Sequence, residues 1–339
     1  MPPTDPQQIL HRLKEQTRNC EEKLLDLQTL KFESKEGEMR LYDQSQSYYF
    51  KYDPKNPKDP KIIHAAKQFC KLMGVPYSFF SKNPEYMRNN MVSCWLPTLK
   101  PEKAQILAKL RKSPDYQVFR AILPVEFTNI SNVDVMTQII DAINDDFRIE
   151  FAIGDERDDP ILHVRFISNE SFEVCGDECS TGFSVVASEL GDAPLSVETI
   201  LFNNESKSAF IASYSGESFF CSNYEGIQPD DMKALFPQLV GHLKSQLPEL
   251  KITVQSSKEL TQTREDTREL MKNLRLKKGL GDKFHTQLYQ EMESMSSSDI
   301  DRWTFASKIA IIAKDYEAMK RVKIERVAGE LIGLSFEKS

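Results

Sequence analysis

Arg264, Arg268, Lys272 and Arg275 are spaced four, four and three residues apart, so a helix through them projects all four from one face, with Lys278 continuing the row. Such a row suits contact with phosphate, because cations repeating along a helix can follow a charged backbone without reading its bases. Between Arg264 and His285 seven Lys or Arg stand against four Asp or Glu, although the whole chain has a formal net charge of −7. An acidic chain that binds nucleic acid needs a local basic face of this kind. A second basic run, Lys320, Arg321, Lys323 and Arg326, lies on the last helical stretch. The residues expected to contact nucleic acid are therefore Arg264, Arg268, Lys272, Arg275, Lys278, Lys320, Arg321 and Lys323. The competing reading is a solvated helix in which Glu265, Asp266 and Glu269 pair with their cationic neighbours.

Other constellations carry less. Cys175 and Cys179 flank Gly176-Asp177-Glu178, with His163 upstream, but no second Cys/His pair completes the four ligands of a structural zinc site. The carboxylates from Asp141 to Asp159 crowd around Asp155-Glu156-Arg157-Asp158-Asp159-Pro160, which reads as a solvated turn between strands rather than a cation site. His11, His64, His163, His242 and His285 are scattered singly, and a triad is recognised only by geometry. Neither a P-loop nor a dinucleotide fingerprint occurs. No catalytic residue, metal or cofactor is expected, and the chain reads as a non-enzyme. Among strand aromatics, adjacent rings must point to opposite faces, so one of Tyr48 and Tyr49, and one of Phe219 and Phe220, is a candidate exposed ring.

The elements that position these residues follow from pattern and composition. Hydrophobic residues make up 40% and charged residues 28%, a globular mix, and six cysteines in 339 residues are too sparse for a disulfide scaffold. The N-terminus lacks the features of a signal peptide and no apolar run is long enough to span a bilayer, so a cytoplasmic protein without membrane contact is expected.

An opening helix is predicted over 6–30, then short strands at Met39–Tyr42 and Tyr48–Tyr52, and a loop where three prolines fall within Asp53–Pro60. Helical spacing follows from Ile62 to Gly74. Strands are expected at Tyr116–Leu123, Arg148–Ile153, Ile161–Ile167, Gly182–Glu189, Leu195–Phe202, Ala209–Tyr214 and Ser218–Cys221, linked too briefly for helical crossovers. From Asp230 onward the period turns helical, over Met232–Leu247, Lys258–Lys278 and Ser298–Leu334. These patterns divide the chain into 1–60 (helix, hairpin and Pro-rich linker), 61–229 (α+β core) and 230–339 (helical region). The fold class is α+β: a central antiparallel sheet with a helical N-terminal part and a C-terminal helical cap.

Several segments in order carry a resemblance. Leu72-Met73-Gly74-Val75-Pro76, Phe119-Arg120-Ala121-Ile122-Leu123-Pro124 and Gly182-Phe183-Ser184-Val185 are its first pieces. Ser188-Glu189-Leu190-Gly191 and Asp301-Arg302-Trp303-Thr304-Phe305-Ala306 continue it. It closes with the run from Arg321 to Leu331. Together, from about Ala65 to Leu334, they resemble the phage/plasmid-like family known as domain of unknown function number nine-three-two. The resemblance implies a phage, plasmid or other mobile-element setting, where DNA-handling proteins are common, and no defined activity. The expected function is binding of single-stranded nucleic acid, or annealing, in replication or recombination, with a homo-oligomer among the expected states. The alternative is a non-enzymatic assembly or regulatory protein that binds a protein partner or itself.

Overall fold

The computed structural model describes residues 5–50, 64–112, 116–128, 130–143, 146–152, 161–214, 220–222, 224, 229–295 and 299–336. The expected loop at 53–60 and the acidic turn at 155–160 lie outside them. The chain is α+β, with two large sheets and a helical C-terminal end.

Helix α1 (Pro6–Thr17) starts on Asp5, whose carboxylate accepts the Gln7 N–H, and Ile9, Leu10 and Leu13 form its buried stripe. The helix expected to reach Leu30 ends at Thr17. Residues Cys20–Asp26 instead form strand β1, because they meet an unforeseen partner strand far along the chain, Cys20 opposite Arg111 and Asp26 opposite Gln105.

Next come β2 (Lys31–Lys35), β3 (Glu38–Tyr42), β4 (Ser47–Phe50), α2 (His64–Leu72), α3 (Tyr77–Phe80), α4 (Glu85–Trp95), α5 (Pro101–Ala104), β5 (Gln105–Lys112) and β6 (Gln117–Pro124). The six strands assemble in the order β1-β5-β6-β4-β3-β2. All neighbours are antiparallel except β4 and β6, which run parallel. One face, with Phe32, Leu41, Tyr48, Phe50 and Phe119, packs on Phe69, Phe80 and Val92 of the helices.

Helix α6 (Asn132–Ala142) opens with a capping box between Ser131 and Asp134. The second sheet follows: β7 (Phe147–Ala152), β8 (Leu162–Val174), β9 (Asp177–Ala187), β10 (Leu195–Asn203) and β11 (Ser208–Ile211). It is antiparallel throughout, in the order β11-β10-β9-β8-β7; a short β12 (Ser213–Tyr214) follows, and β13 (Phe220–Ser222) also pairs with β10. The C-terminal part comprises α7 (Pro229–Glu259), β14 (Thr261–Thr263), α8 (Arg264–Lys278), α9 (Asp282–Glu293), β15 (Asp299–Asp301), α10 (Arg302–Ala313), α11 (Ala318–Leu331) and β16 (Ser335–Phe336). Phe166, Phe183, Val185 and Val197 on one face of the second sheet pack on Val135, Met136, Ile139 and Phe236. The other face receives α11.

That second contact is partly ionic. Arg165 and Glu325 are fully buried and paired, and Arg321, 5% exposed, donates from Nε to Glu325 Oε1 at 2.9 Å. One residue along α11, Arg326 pairs with the buried Glu198 of β10. His163 and Ser184 lie on the same sheet, Nε2 and Oγ 2.9 Å apart. Burial, with the Arg165 and Arg321 charges beside it, holds the His163 imidazole well below its usual range.

This burial predicts a pH effect. The folded chain keeps His163 neutral, whereas the unfolded chain protonates it at about pH 6.5. Above that pH neither state is charged at this ring and stability is unaffected. As pH falls below it only the unfolded state binds the proton, so stability drops, by at most about 1.4 kcal/mol per pH unit, until the folded pKa is reached. Chemical denaturation of the parent and of His163→Gln between pH 7.5 and 5.0 checks this: the variant should lose less stability over the interval, and equal losses would count against it.

Candidate nucleic-acid interface

Helix α8 is set by local chemistry at both ends. Thr263 and Asp266 form its capping box, and Gly279, at φ 60°, closes it in the left-handed conformation. The preceding residues are not part of the same helix: Leu260 interrupts it, and Thr261–Thr263 pair with Asp299–Asp301. Met271 and Leu274 are buried against the C-terminal core, and Leu270 is packed at its edge. Arg264, Arg268 and Lys272 consequently stand exposed. Arg275 and Lys278 continue the helical backbone, with side chains outside the described residues.

The pairing expected within the helix is replaced by contact with the next one. Asp266 serves the cap, and Glu265 and Glu269 make no ion pair among the described residues. Arg268 instead donates from Nη2 to Glu293 Oε1 of α9 at 3.2 Å, which holds that carboxyl below its usual range. Arg264 Nη2 lies 3.5 Å from the Met295 carbonyl oxygen. Tyr289, 44% exposed, lines the same shallow depression as Arg264 and Arg268. Strand alternation gave no reason to single out this ring, since it sits on a helix; its position four residues before Glu293 was the available signal.

The second basic run splits. Lys320 and Lys323 are exposed, and their Nζ atoms come within 3.8 Å and 3.7 Å of where a Cβ would sit on Gly281 and Gly279. They therefore meet the loop that ends α8. Lys320 and Lys283 also lie over the Tyr316 ring, 4.5 Å and 5.3 Å from its centroid. Arg321 has to be withdrawn from the contact set: one residue beyond Lys320 turns it about 100° around the helix, into the buried pair with Glu325.

The remaining sequence candidates do not converge on chemistry. Cys179 is buried and Cys175 half-buried, and burial pushes their thiols up to about 12 and about 11. Among the described residues no group of three or more His, Cys, Asp or Glu is placed to hold a metal ion. His163 and Ser184 are enclosed between sheet and helix, where no substrate has access. No described helix is long and apolar enough to cross a membrane.

A cleft of about 970 Å³ opens where the two sheets adjoin, lined by His64, Lys67, Lys71, Lys103, Phe127 and Asp192 among others. His64 Nδ1 lies 2.6 Å from Asp192 Oδ2 and its Nε2 3.0 Å from the Leu190 carbonyl oxygen. The ring acts as a clasp between α2 and the 188–192 loop. Gln68 and the Arg120–Glu189 pair, 3.0 Å, hold the same junction. The Ser188-Glu189-Leu190-Gly191 motif thus joins the two sheets.

Compared with known proteins, the chain matches no family model, no curated protein and no solved structure.

Proposed function

We propose that this protein binds single-stranded nucleic acid through the exposed cations of α8, extended by Lys320 and Lys323, as a non-enzymatic component of a mobile genetic element. The observation that carries the reading is the meeting of two basic runs, distant in sequence, at the Gly279–Gly281 loop. In a chain of net charge −7, Arg264, Arg268, Lys272, Lys320 and Lys323 are exposed along one helix and its end. The span from Arg264 to Gly279 covers about 22 Å at 1.5 Å per residue, a reach suited to several successive phosphates. Tyr289 supplies a ring beside the two arginines. The mobile-element setting rests on the sequence resemblance alone.

Salt dependence tests this. Affinity for an unstructured oligonucleotide should fall with salt at a log-log slope of about −0.7 per neutralised phosphate, or roughly −3 for four contacts. Replacing Arg264, Arg268, Lys272 and Arg275 together by glutamine should lower affinity for unrelated sequences alike and flatten the slope. Arg264, Arg268 and Lys272 are exposed, and substitutions at exposed positions cost little stability. An unchanged slope removes the stripe from the interface. Loss of self-association, with oligonucleotide binding untouched, would favour the assembly reading instead.

A further inference from the structure

The geometry points to a second surface: we infer that the outer face of the first sheet is a base-stacking platform for single-stranded nucleic acid, centred on Tyr49, Tyr116, Tyr42 and Arg40. This rests on the single-strand reading above and adds a face that α8 does not contribute.

Strand register builds the platform. Cys20 is opposite Arg111, Arg111 opposite Val118, Val118 beside Tyr49, Tyr49 opposite Arg40, and Arg40 opposite Glu33. Cross-strand partners project from the same side of a sheet, so one row runs across all six strands. Tyr48, next to Tyr49, points the other way and is buried at 1% exposure, which identifies Tyr49 as the outward ring of the pair. In the adjacent row Tyr42 is opposite Lys31. Tyr116 leads into β6, 47% exposed, with its ring centroid 5.3 Å from that of Tyr49 at 63°.

Arg40 is fixed among these rings. Its Nε donates to Glu33 Oε2 at 2.8 Å and its Nη1 to the Tyr49 hydroxyl at 3.1 Å. The guanidinium carbon lies 5.1 Å from the Tyr42 centroid and 5.8 Å from that of Tyr49. Tyr116, exposed, and Tyr42, Tyr49 and Arg40, half-buried, are not needed for the core, because Phe32, Leu41, Tyr48, Phe50 and Phe119 fill the opposite face. Their shared property is a set of flat π surfaces held in place before any ligand arrives, on which any base can stack. Glu33 balances Arg40, Lys31 is exposed at the edge of the face, and Arg111 lies in the same cross-strand row. Arg111 stands two strands from Tyr49, about 10 Å away, within reach of the backbone of a strand whose bases lie on the rings. Charge and stacking together favour a nucleic acid over an acidic protein surface, which would use the cations and leave the rings idle.

The test uses the full chain and a labelled 20-nucleotide oligothymidylate, with affinity read by fluorescence anisotropy at several salt concentrations. Tyr49→Ala/Tyr116→Ala should weaken binding at least tenfold, since one stacked base is worth about 1–3 kcal/mol and 1.4 kcal/mol is a factor of ten. The salt slope should stay at the parent value, unlike that of the α8 glutamine variant. Tyr49→Phe/Tyr116→Phe keeps the rings, shows that the sheet tolerates change here, and should bind within about threefold of the parent. If the parent binds and the alanine pair stays within twofold of it, the platform is rejected and the α8 reading stands. Equal losses in the alanine and phenylalanine pairs also reject it, because stacking does not require the hydroxyls. A changed chain mass in solution with oligonucleotide affinity intact assigns the face to contact between copies. If the parent never binds at low salt, both the platform and the single-strand reading fall.

Discussion

Replacing Glu325 by glutamine should destabilise the protein by about 3–5 kcal/mol, because it strands two buried guanidinium groups. Arg165 is fully enclosed and Arg321 is 5% exposed, and both converge on the Glu325 carboxylate between β8 and α11. Burial pulls the Arg165 guanidinium down to about 10 against the opposing pull of Glu325, so it is still charged at neutral pH. Removing the counter-charge leaves that cation in a low-dielectric site without the Glu325 carboxylate that offsets its desolvation. Denaturant titration at pH 7 reads the loss as a lower midpoint at similar cooperativity. A combined Arg165→Met, Arg321→Met, Glu325→Leu variant should recover most of it, since apolar groups of similar volume carry no desolvation cost. If Glu325→Gln shifts stability by less than about 1 kcal/mol, the cluster is solvated in solution and its structural role is wrong.

The second large effect concerns backbone approach. A Cβ on Gly329 would stand 1.9 Å from the Ile211 carbonyl oxygen and 2.8 Å from its carbonyl carbon, so α11 touches β11 directly only because residue 329 has no side chain. Neither atom belongs to a flexible side chain. Gly329→Ala must therefore lift the helix from the sheet, and overpacking of this kind costs about 1–3 kcal/mol or more despite the better helix propensity of alanine. Gly329 lies one turn beyond Glu325, so the displacement also loosens the buried pair. A melting temperature lowered by several degrees is expected. Gly241→Ala is the matched control: nothing lies within 4 Å of its Cβ position, and it should be neutral or slightly stabilising. A Gly329→Ala protein as stable as the parent would show that α11 and β11 are farther apart than described.

Much of the framework was legible in the chain itself. The switch to helical period after Asp230 marks the C-terminal helices because their apolar faces repeat locally. Arg264, Arg268 and Lys272 could be placed on one helical face for the same reason, by spacing alone, whereas the helix start at Arg264 could not, because Thr261–Thr263 form a strand only through their pairing with Asp299–Asp301. By contrast, β1, β2 and β5 were hidden, since β1 pairs with a strand starting at Gln105 and short strands need such partners to declare themselves. The parallel pairing of β4 with β6 was equally invisible, because period 2 is the same in both directions.

What the sequence determined by itself was the α+β class, the shared helical face of Arg264, Arg268 and Lys272, and the rule that one of Tyr48 and Tyr49 must face outward. Each depends on residues close together along the chain, where 3.6-residue and 2-residue periods fix direction. Tertiary structure decided which tyrosine is outward, that Tyr42, Tyr116 and Arg40 share its face, and that Lys320 and Lys323 reach the end of α8 while Arg321 turns inward. These depend on strand register and on which side of α11 the second sheet covers. Register and burial are set by contacts between residues far apart in the chain, and a single sequence carries no local period for them.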